Sequence, residues 1–164
     1  MSIANLQGRF ALVTGCMGGI GTAICQALGE AGATIVGGDL SPDGEGWKAE
    51  HGIKGDYVQL DVTKEEDWAG ASAYIEREYG ALDILVNNAG VSIVDRMEDT
   101  TLEAWRMQMA VNSDGPFLGT KACLKLLKKS GATSPYGSSV VNISSIAGLR
   151  GVSMSTGYCA SKGA

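Results

Sequence analysis

The 164-residue sequence predicts an α/β fold, a doubly wound parallel sheet of about five strands with helices on both faces. Three observations predict it. Short apolar runs alternate with helical stripes along the whole chain, as strand-helix-strand units require. The runs are apolar throughout, the pattern of strands covered on both faces rather than on one. The first of them stops at a glycine-rich turn, Thr14-Gly15-Cys16-Met17-Gly18-Gly19-Ile20-Gly21, where an amphipathic helix begins.

Arg9 to Thr14 reads as the first strand. In the turn after it, Gly15, Gly19 and Gly21 stand where the chain must reverse sharply, let a pyrophosphate approach the backbone and pack the helix on the sheet. The helix starting near Gly19 offers unpaired N–H groups and the positive end of its dipole, so the turn is a candidate dinucleotide site. Ile20, Ile24, Ala27 and Ala31 recur at helical spacing and predict the sheet-facing stripe, and Gly32 ends the helix. The second strand, Ala33 to Asp39, ends on a carboxylate 18 residues after Gly21, where a ribose-binding acid belongs in such a unit. A glycine turn is a weak signal alone in a chain with 24 glycines; strand, helix and acid together select this one.

Ser41 to Gly55 is polar and glycine-rich and reads as a loop with at most a short helix. Tyr57 to Val62 is the third strand, closed by Asp61 before Thr63-Lys64-Glu65-Glu66, which has the form of a capping box. The helix after it places Trp68, Ala71, Ile75 and Tyr79 on one side. Leu82 to Val86 is the fourth strand and stops at Asn87-Asn88-Ala89-Gly90. Thr100 with Glu103 predicts a second capping box and a helix through Leu102, Trp105 and Met109, running to Asn112 before Gly115-Pro116 bends or restarts the chain. Phe117, Thr120, Leu124 and Leu127 form the expected inner face of the next helix, with Lys121, Lys125, Lys128 and Lys129 solvated. Ser130 to Gly137 reads as a loop and Ser139 to Ser145 as the fifth strand, ending in two hydroxyls at the sheet edge where ligands bind.

Composition narrows the partners. Lys plus Arg total 13 against 18 Asp plus Glu, a formal net charge of −5 with no basic block, which argues against nucleic acid. No apolar run approaches the roughly 20 residues of a membrane span, and the polar start Met1-Ser2-Ile3-Ala4-Asn5 has no leader pattern; a cytoplasmic protein is expected. Cys16, Cys25, Cys123 and Cys159 show no C-x-x-C pair and no metal-ligand spacing, so packing thiols and no metal are expected. The one histidine, His51, lies in a polar stretch away from every motif and is given no role. Val91, Ile93, Val94, Leu149, Val152 and Met154 flank the motifs; they suit an apolar pocket, a core or an interface equally.

Tyr158-Cys159-Ala160-Ser161-Lys162 sets a phenol and an ammonium at i and i+4, on one side of one helical turn. A neighbouring cation favours phenolate, which a tyrosine acting as acid or base near neutral pH needs. With the other motifs in order, the chain resembles the short-chain dehydrogenase/reductase family. Thr14-Gly15-x-x-x-Gly19-Ile20-Gly21 matches the family's cofactor turn, Asp61-Val62 its adenine-contacting pair, Asn87-Asn88-Ala89-Gly90 its fourth-strand motif and Asn112 its helix asparagine. Ser145, 13 residues before Tyr158, matches its catalytic serine, with Ser144 structural.

The resemblance implies a Rossmann-type fold and a catalytic set of Asn112, Ser145, Tyr158 and Lys162. It implies cofactor contacts from Gly15, Gly18, Gly19, Ile20, Gly21, Asp39, Leu40, Asp61, Val62, Asn88, Ala89 and Gly90, with Tyr158 and Lys162. Hydride would pass between nicotinamide and a ketone or secondary alcohol, Tyr158 passing the proton, Ser145 binding the substrate oxygen, Lys162 binding ribose and Asn112 holding a relay water. NAD(H) is expected over NADP(H), because Asp39 would repel a 2′-phosphate and neither Gly18 nor Leu40 is basic. Family members usually continue some eighty or more residues past the Tyr-x-x-x-Lys motif and assemble as homodimers or homotetramers. The sequence is therefore expected to be one nucleotide-binding domain, 1–164, that lacks the substrate-covering segment, exposes a strand edge and is inert or nearly so alone. An enzyme and a nucleotide-binding fragment without turnover both remain open; a purely structural module would leave the Gly15 to Gly21 turn unexplained.

Overall fold

The computed structural model describes residues 5–164, so the first four residues of the polar start lie outside the described residues. Five strands pair in the order β3-β2-β1-β4-β5, every neighbouring pair parallel. They are β1 (Phe10–Thr14), β2 (Thr34–Asp39), β3 (Gly55–Gln59), β4 (Ile84–Asn87) and β5 (Ser139–Asn142). The helices are α1 (Gly19–Glu30), α2 (Gly44–His51), α3 (Glu65–Glu78), α4 (Leu102–Met109), α5 (Gly115–Thr133) and α6 (Thr156–Gly163).

Side chains alternate across each strand, so one strand feeds two cores. Leu12, Val36, Leu60 and Leu85 point to the face closed by Trp68 and Ile75 of α3 and Leu126 of α5. Ala11, Val13, Ile35 and Val86 point to the other, closed by Cys25 of α1 and Trp47 of α2. That makes the sheet doubly wound, and the chain switches faces between β1 and β4. The carboxyl ends of those two strands diverge there into a crevice.

Several local expectations are corrected by packing. In α1 the buried face is Gly21, Thr22 and Cys25, whereas Ala27 and Ile20 are exposed; a helix rich in small apolar residues offers more than one stripe, and the turn geometry at Gly21 selects this one. Similarly, α5 buries Gly119, Cys123, Leu126 and Leu127 while Phe117 is 64% and Leu124 43% exposed. The lysines of α5 do lie in solvent. Its helix also extends to Thr133, because Ser130 is drawn in to bond the buried Asp83 carboxylate.

Neither capping box forms as spaced. Thr63 donates its hydroxyl to Asp61 Oδ1 at 2.7 Å, leaving Lys64 as the α3 cap without a side-chain bond. At α4 the cap is Thr101, whose hydroxyl accepts from Ala104 N at 3.0 Å, and Thr100 bonds back to Arg96 O instead. Between α4 and α5 the chain neither bends away nor restarts: Ala110–Asp114 form a π-helical turn that keeps the helix continuous. A widened turn relieves the clash and the missing N–H that Pro116 brings to the helix. β3 ends at Gln59 and β5 at Asn142, so Asp61, Val62, Ser144 and Ser145 lie in the turns beyond the sheet.

Among the described residues no helix is long and apolar enough to cross a membrane. β5 is an edge strand whose four residues are all exposed.

Candidate active site

The crevice begins at the glycine turn. Gly15 has φ +62, and a Cβ there would sit 2.8 Å from the Ala89 Cα. At Gly21 a Cβ would sit 2.1 Å from the Gly15 carbonyl oxygen. These two positions leave hydrogen as the only side chain that fits, which is why the turn lies flat against the end of β4. Gly18 caps α1 with extended backbone and no side-chain bond, leaving the first N–H groups of α1 directed at the crevice.

Two side chains lock the turn to its neighbours. Thr14 Oγ1, buried at the end of β1, accepts the N–H groups of Asn88 and Ala89, both at 3.1 Å. Asn88 Nδ2 donates to the carbonyl oxygens of Thr14 and Gly15. From β2, Asp39 Oδ2 accepts the Met17 N–H at 2.9 Å and Oδ1 the Leu40 N–H at 2.8 Å. An ionised carboxylate has about four acceptor positions, so about two remain for a ligand.

The resulting cavity, about 430 Å³, is lined by Gly15, Gly18, Gly19, Ile20 and Gly21 from the turn, Asp39 and Leu40 from β2, Asp61 and Val62 after β3, and Asn88, Ala89 and Gly90 after β4. All twelve were expected to contact one ligand, and the fold gathers them around one space. The exposure of Ile20 and Leu40 belongs to this wall. Leu60, Val91 and Val111 also line it. Each adjoins a motif residue, and that adjacency was the only sequence signal for them. Asp61 is held by the Thr63 amide and hydroxyl. Burial raises its carboxyl pKa, but the Thr63 bonds and the Lys64 charge outweigh this and hold it below the ordinary value.

The second half of the site stands on α6 and the turns beside it. Tyr158 and Lys162 share one side of α6, both half-buried. Lys162 Nζ donates to Ile143 O at 2.8 Å, and burial lowers its pKa from the usual lysine value. Lys162 Nζ and Asn112 Oδ1 each lie 3.2 Å from where a Gly90 Cβ would stand, so the lysine reaches the rim of the crevice. Lys162 itself lines a neighbouring 320 Å³ cavity that shares Ala89 with the first, and Tyr158 lines neither. Ser145 caps a 3₁₀ turn, Ile146–Gly148, by accepting the Ala147 N–H at 3.2 Å, and Ser144 Oγ donates to Lys162 O at 2.8 Å.

Asn112 sits in the π-helical turn, where its side chain is fully engaged. Oδ1 accepts Val91 N–H at 2.9 Å, and Nδ2 donates to Val91 O and Ser161 Oγ, both at 2.8 Å. Its amide therefore joins the segment after β4 to α6, and Oδ1, which accepts one bond, keeps a second acceptor position. One helical turn earlier, the buried Gln108 repeats the device: Oε1 accepts Ile93 N–H at 3.0 Å, and a Cβ on Gly157 would come within 2.5 Å of Nε2. Nothing in the spacing of Gln108 marked it in advance.

Of the flanking apolar residues, Val91 enters the cavity, while Val94, Leu149, Val152 and Met154 are 59%, 88%, 42% and 47% exposed. The two flanks touch, with Asp95 N donating to Met154 O at 2.9 Å. Burial pushes the Cys25 and Cys123 thiols up to about 12 and Cys16 further, the state of packing thiols. His51 lies in the last turn of α2, with Nδ1 at 3.0 Å from Trp47 O.

The chain is similar to known proteins over nearly its whole length. The 3-alpha-(or 20-beta)-hydroxysteroid dehydrogenase of Mycobacterium tuberculosis is 39% identical over 159 residues, covering 96% of this chain and 59% of that protein. The NADP-dependent (R)-specific alcohol dehydrogenase of Lentilactobacillus kefiri is 39% identical over 164 residues, covering 98% and 63%. Cyclopentanol dehydrogenase of a Comamonas species is 36% identical over 166 residues, covering 99% and 64%. The chain thus spans about three fifths of the length of the curated relatives it matches. The family model described as short chain dehydrogenase matches residues 9–164, and the chain belongs to the short-chain dehydrogenase family.

Proposed function

We propose that this chain carries the NAD(H)-binding and catalytic portion of an oxidoreductase acting on a secondary alcohol or ketone. The observation that carries the reading is the single cavity walled by the glycine turn, Asp39 and the Asn88-Ala89-Gly90 segment, with the Tyr158–Lys162 turn beside it. The residues present fit a dinucleotide: Gly15 and Gly21 let the turn pack flat against the end of β4 beside an open cavity, and the α1 N-terminus, Gly18 to Gly21, lines that cavity and would receive the phosphates. Asp39 would take the adenosine ribose hydroxyls. One relative is named NADP-dependent; here a carboxylate at Asp39, with Gly18 and Leu40 uncharged, favours NAD(H).

A bound nicotinamide supplies the hydride chemistry. In alcohol oxidation Tyr158 takes the proton from the substrate hydroxyl as its carbon is oxidised to a carbonyl; in reduction it returns that proton to the oxygen. Ser145 donates a hydrogen bond to the same oxygen and stabilises the charge that develops on it. Lys162, whose ammonium stands at the rim of the crevice beside Gly90, would bind the nicotinamide ribose. Asn112 acts by positioning, holding Val91 and α6 in register. The exposed Val94, Leu149, Val152 and Met154 and the relatives' names favour an uncharged alicyclic substrate. A homodimer or homotetramer in the cytoplasm completes the reading.

Fluorescence titration with NADH and NADPH, followed by assay of cyclic secondary alcohols and ketones, tests it. Tighter NADPH binding would remove the cofactor assignment, and absence of binding to either would remove the whole reading. Nucleotide binding without turnover would instead favour the reading of a nucleotide-binding fragment.

A further inference from the structure

Asp39 is held from two sides, and only one of them belongs to the glycine turn. Its carboxylate is bonded by the Met17 and Leu40 amides. Its main chain, and that of the two residues after it, is bonded from β3. The Tyr57 hydroxyl lies between Asp39 O, at 3.0 Å, and Ser41 O, its single proton shared between them. Gln59 Nε2 donates to Leu40 O at 3.0 Å. Three consecutive carbonyls, 39 to 41, are therefore tied to two side chains that stand two residues apart on β3 and so face the same way.

The tie is rigid because the ring of Tyr57 is confined. A Cβ at Gly44 would fall 2.0 Å from Tyr57 ring atoms, so the ring lies flat against the first turn of α2, and Trp47 flanks it with centroids 6.3 Å apart. Asp39 and Leu40 line the nucleotide cavity, whereas neither Tyr57 nor Gln59 does.

We infer that Tyr57, backed by Gln59, is a specificity-determining positioning residue that fixes the Asp39–Ser41 segment so that the Asp39 carboxylate cannot yield to a 2′-phosphate. This rests on the reading of the crevice as an NAD(H) site. A carboxylate discriminates against phosphate only if it stays where the phosphate would lie; a segment free to shift would let the acid move off and water enter. Preorganisation by β3 keeps the repulsion in place and removes the ordering cost of binding ribose hydroxyls.

The test is the pair of dissociation constants for NADH and NADPH, measured by fluorescence titration on the wild-type chain, Tyr57→Phe and Gln59→Leu. Tyr74→Phe serves as control, since it removes a similar hydroxyl that bonds Asp56, outside the cavity. Tyr57→Phe keeps the ring and should lower the NADPH-to-NADH ratio of Kd about 3- to 10-fold, the range of one lost hydrogen bond. Gln59→Leu, at an exposed position, should move it the same way and decides the matter if Tyr57→Phe does not fold. A purely structural role would lower the melting temperature without moving the ratio. An unchanged ratio in the folded variants, with wild type preferring NADH, overturns this inference alone. Wild type that binds neither nucleotide, or prefers NADPH, overturns it together with the cofactor reading.

Discussion

Asn88 Nδ2 donates to the Gly15 carbonyl oxygen at 3.0 Å, joining the turn after β1 to the segment after β4 across the crevice where the strand order reverses. The same amide donates to Thr14 O at 2.9 Å. The shape of the cavity at the crevice therefore depends on a bond between residues 73 positions apart, not on the glycine turn alone.

Replacing Asn88 by Ala leaves both carbonyls without this partner. The expected loss is about 1–3 kcal/mol of stability with weakened NADH binding. Denaturant unfolding and nucleotide titration check it, and a midpoint equal to wild type with full affinity would show that the amide is dispensable.

Gly21→Ala and Gly19→Ala separate two uses of glycine. The first drives a Cβ to 2.1 Å from Gly15 O, against backbone, and should destabilise the fold and abolish nucleotide binding. The second meets nothing within 4 Å and has no positive φ, so the fold should tolerate it. Any loss of NADH affinity in a Gly19→Ala protein of normal melting temperature then reports direct contact with the ligand.

On catalysis, in a full-length form that turns over, Tyr158→Phe should reduce kcat about 10²- to 10⁴-fold with little change in NADH affinity, since only the hydroxyl is lost. Lys162→Ala should damage both, because it also removes the bond to Ile143 O that ties α6 to the end of β5. Retention of most of kcat by Tyr158→Phe would contradict its role.

Acid stability should depend on Asp83, at the opposite end of the sheet. Burial pushes its carboxyl up, but bonds from Ser130, Phe10 N–H and Arg9, together with the Arg9 charge at 2.6 Å, hold it below the ordinary value. A group with a lowered native pKa contributes stability that is full above its unfolded pKa, about 3.9, and is lost as pH falls through the native value. Asp83→Asn should cost about 1–3 kcal/mol at pH 7, and its deficit should shrink as melts are taken from pH 5 downward. A deficit independent of pH would show that shape rather than charge is what Asp83 supplies.

The sequence by itself determined the layered architecture and pointed to most of the residues that line the cavity at the crevice. Both rest on local requirements: Gly15 and Gly21 are dictated by sterics within one turn, and the five apolar runs announce strands wherever they fall. Asp39 was legible because a strand-helix-strand unit has a narrow length. Tertiary structure decided which face each helix buries, where β3 and β5 stop, and which side chains hold the motif residues in place. Phe117 looks like core by spacing but lies in solvent, because the sheet sees α5 from the side of Gly119 and Cys123. Thr63 spends its hydroxyl on Asp61 rather than on a cap, a choice set by the turn that ends β3. The positions of Gln108 and Tyr57 were invisible for a related reason. Their bonds go to backbone groups 15 to 18 residues away in sequence, and a backbone carbonyl or amide carries no residue signature.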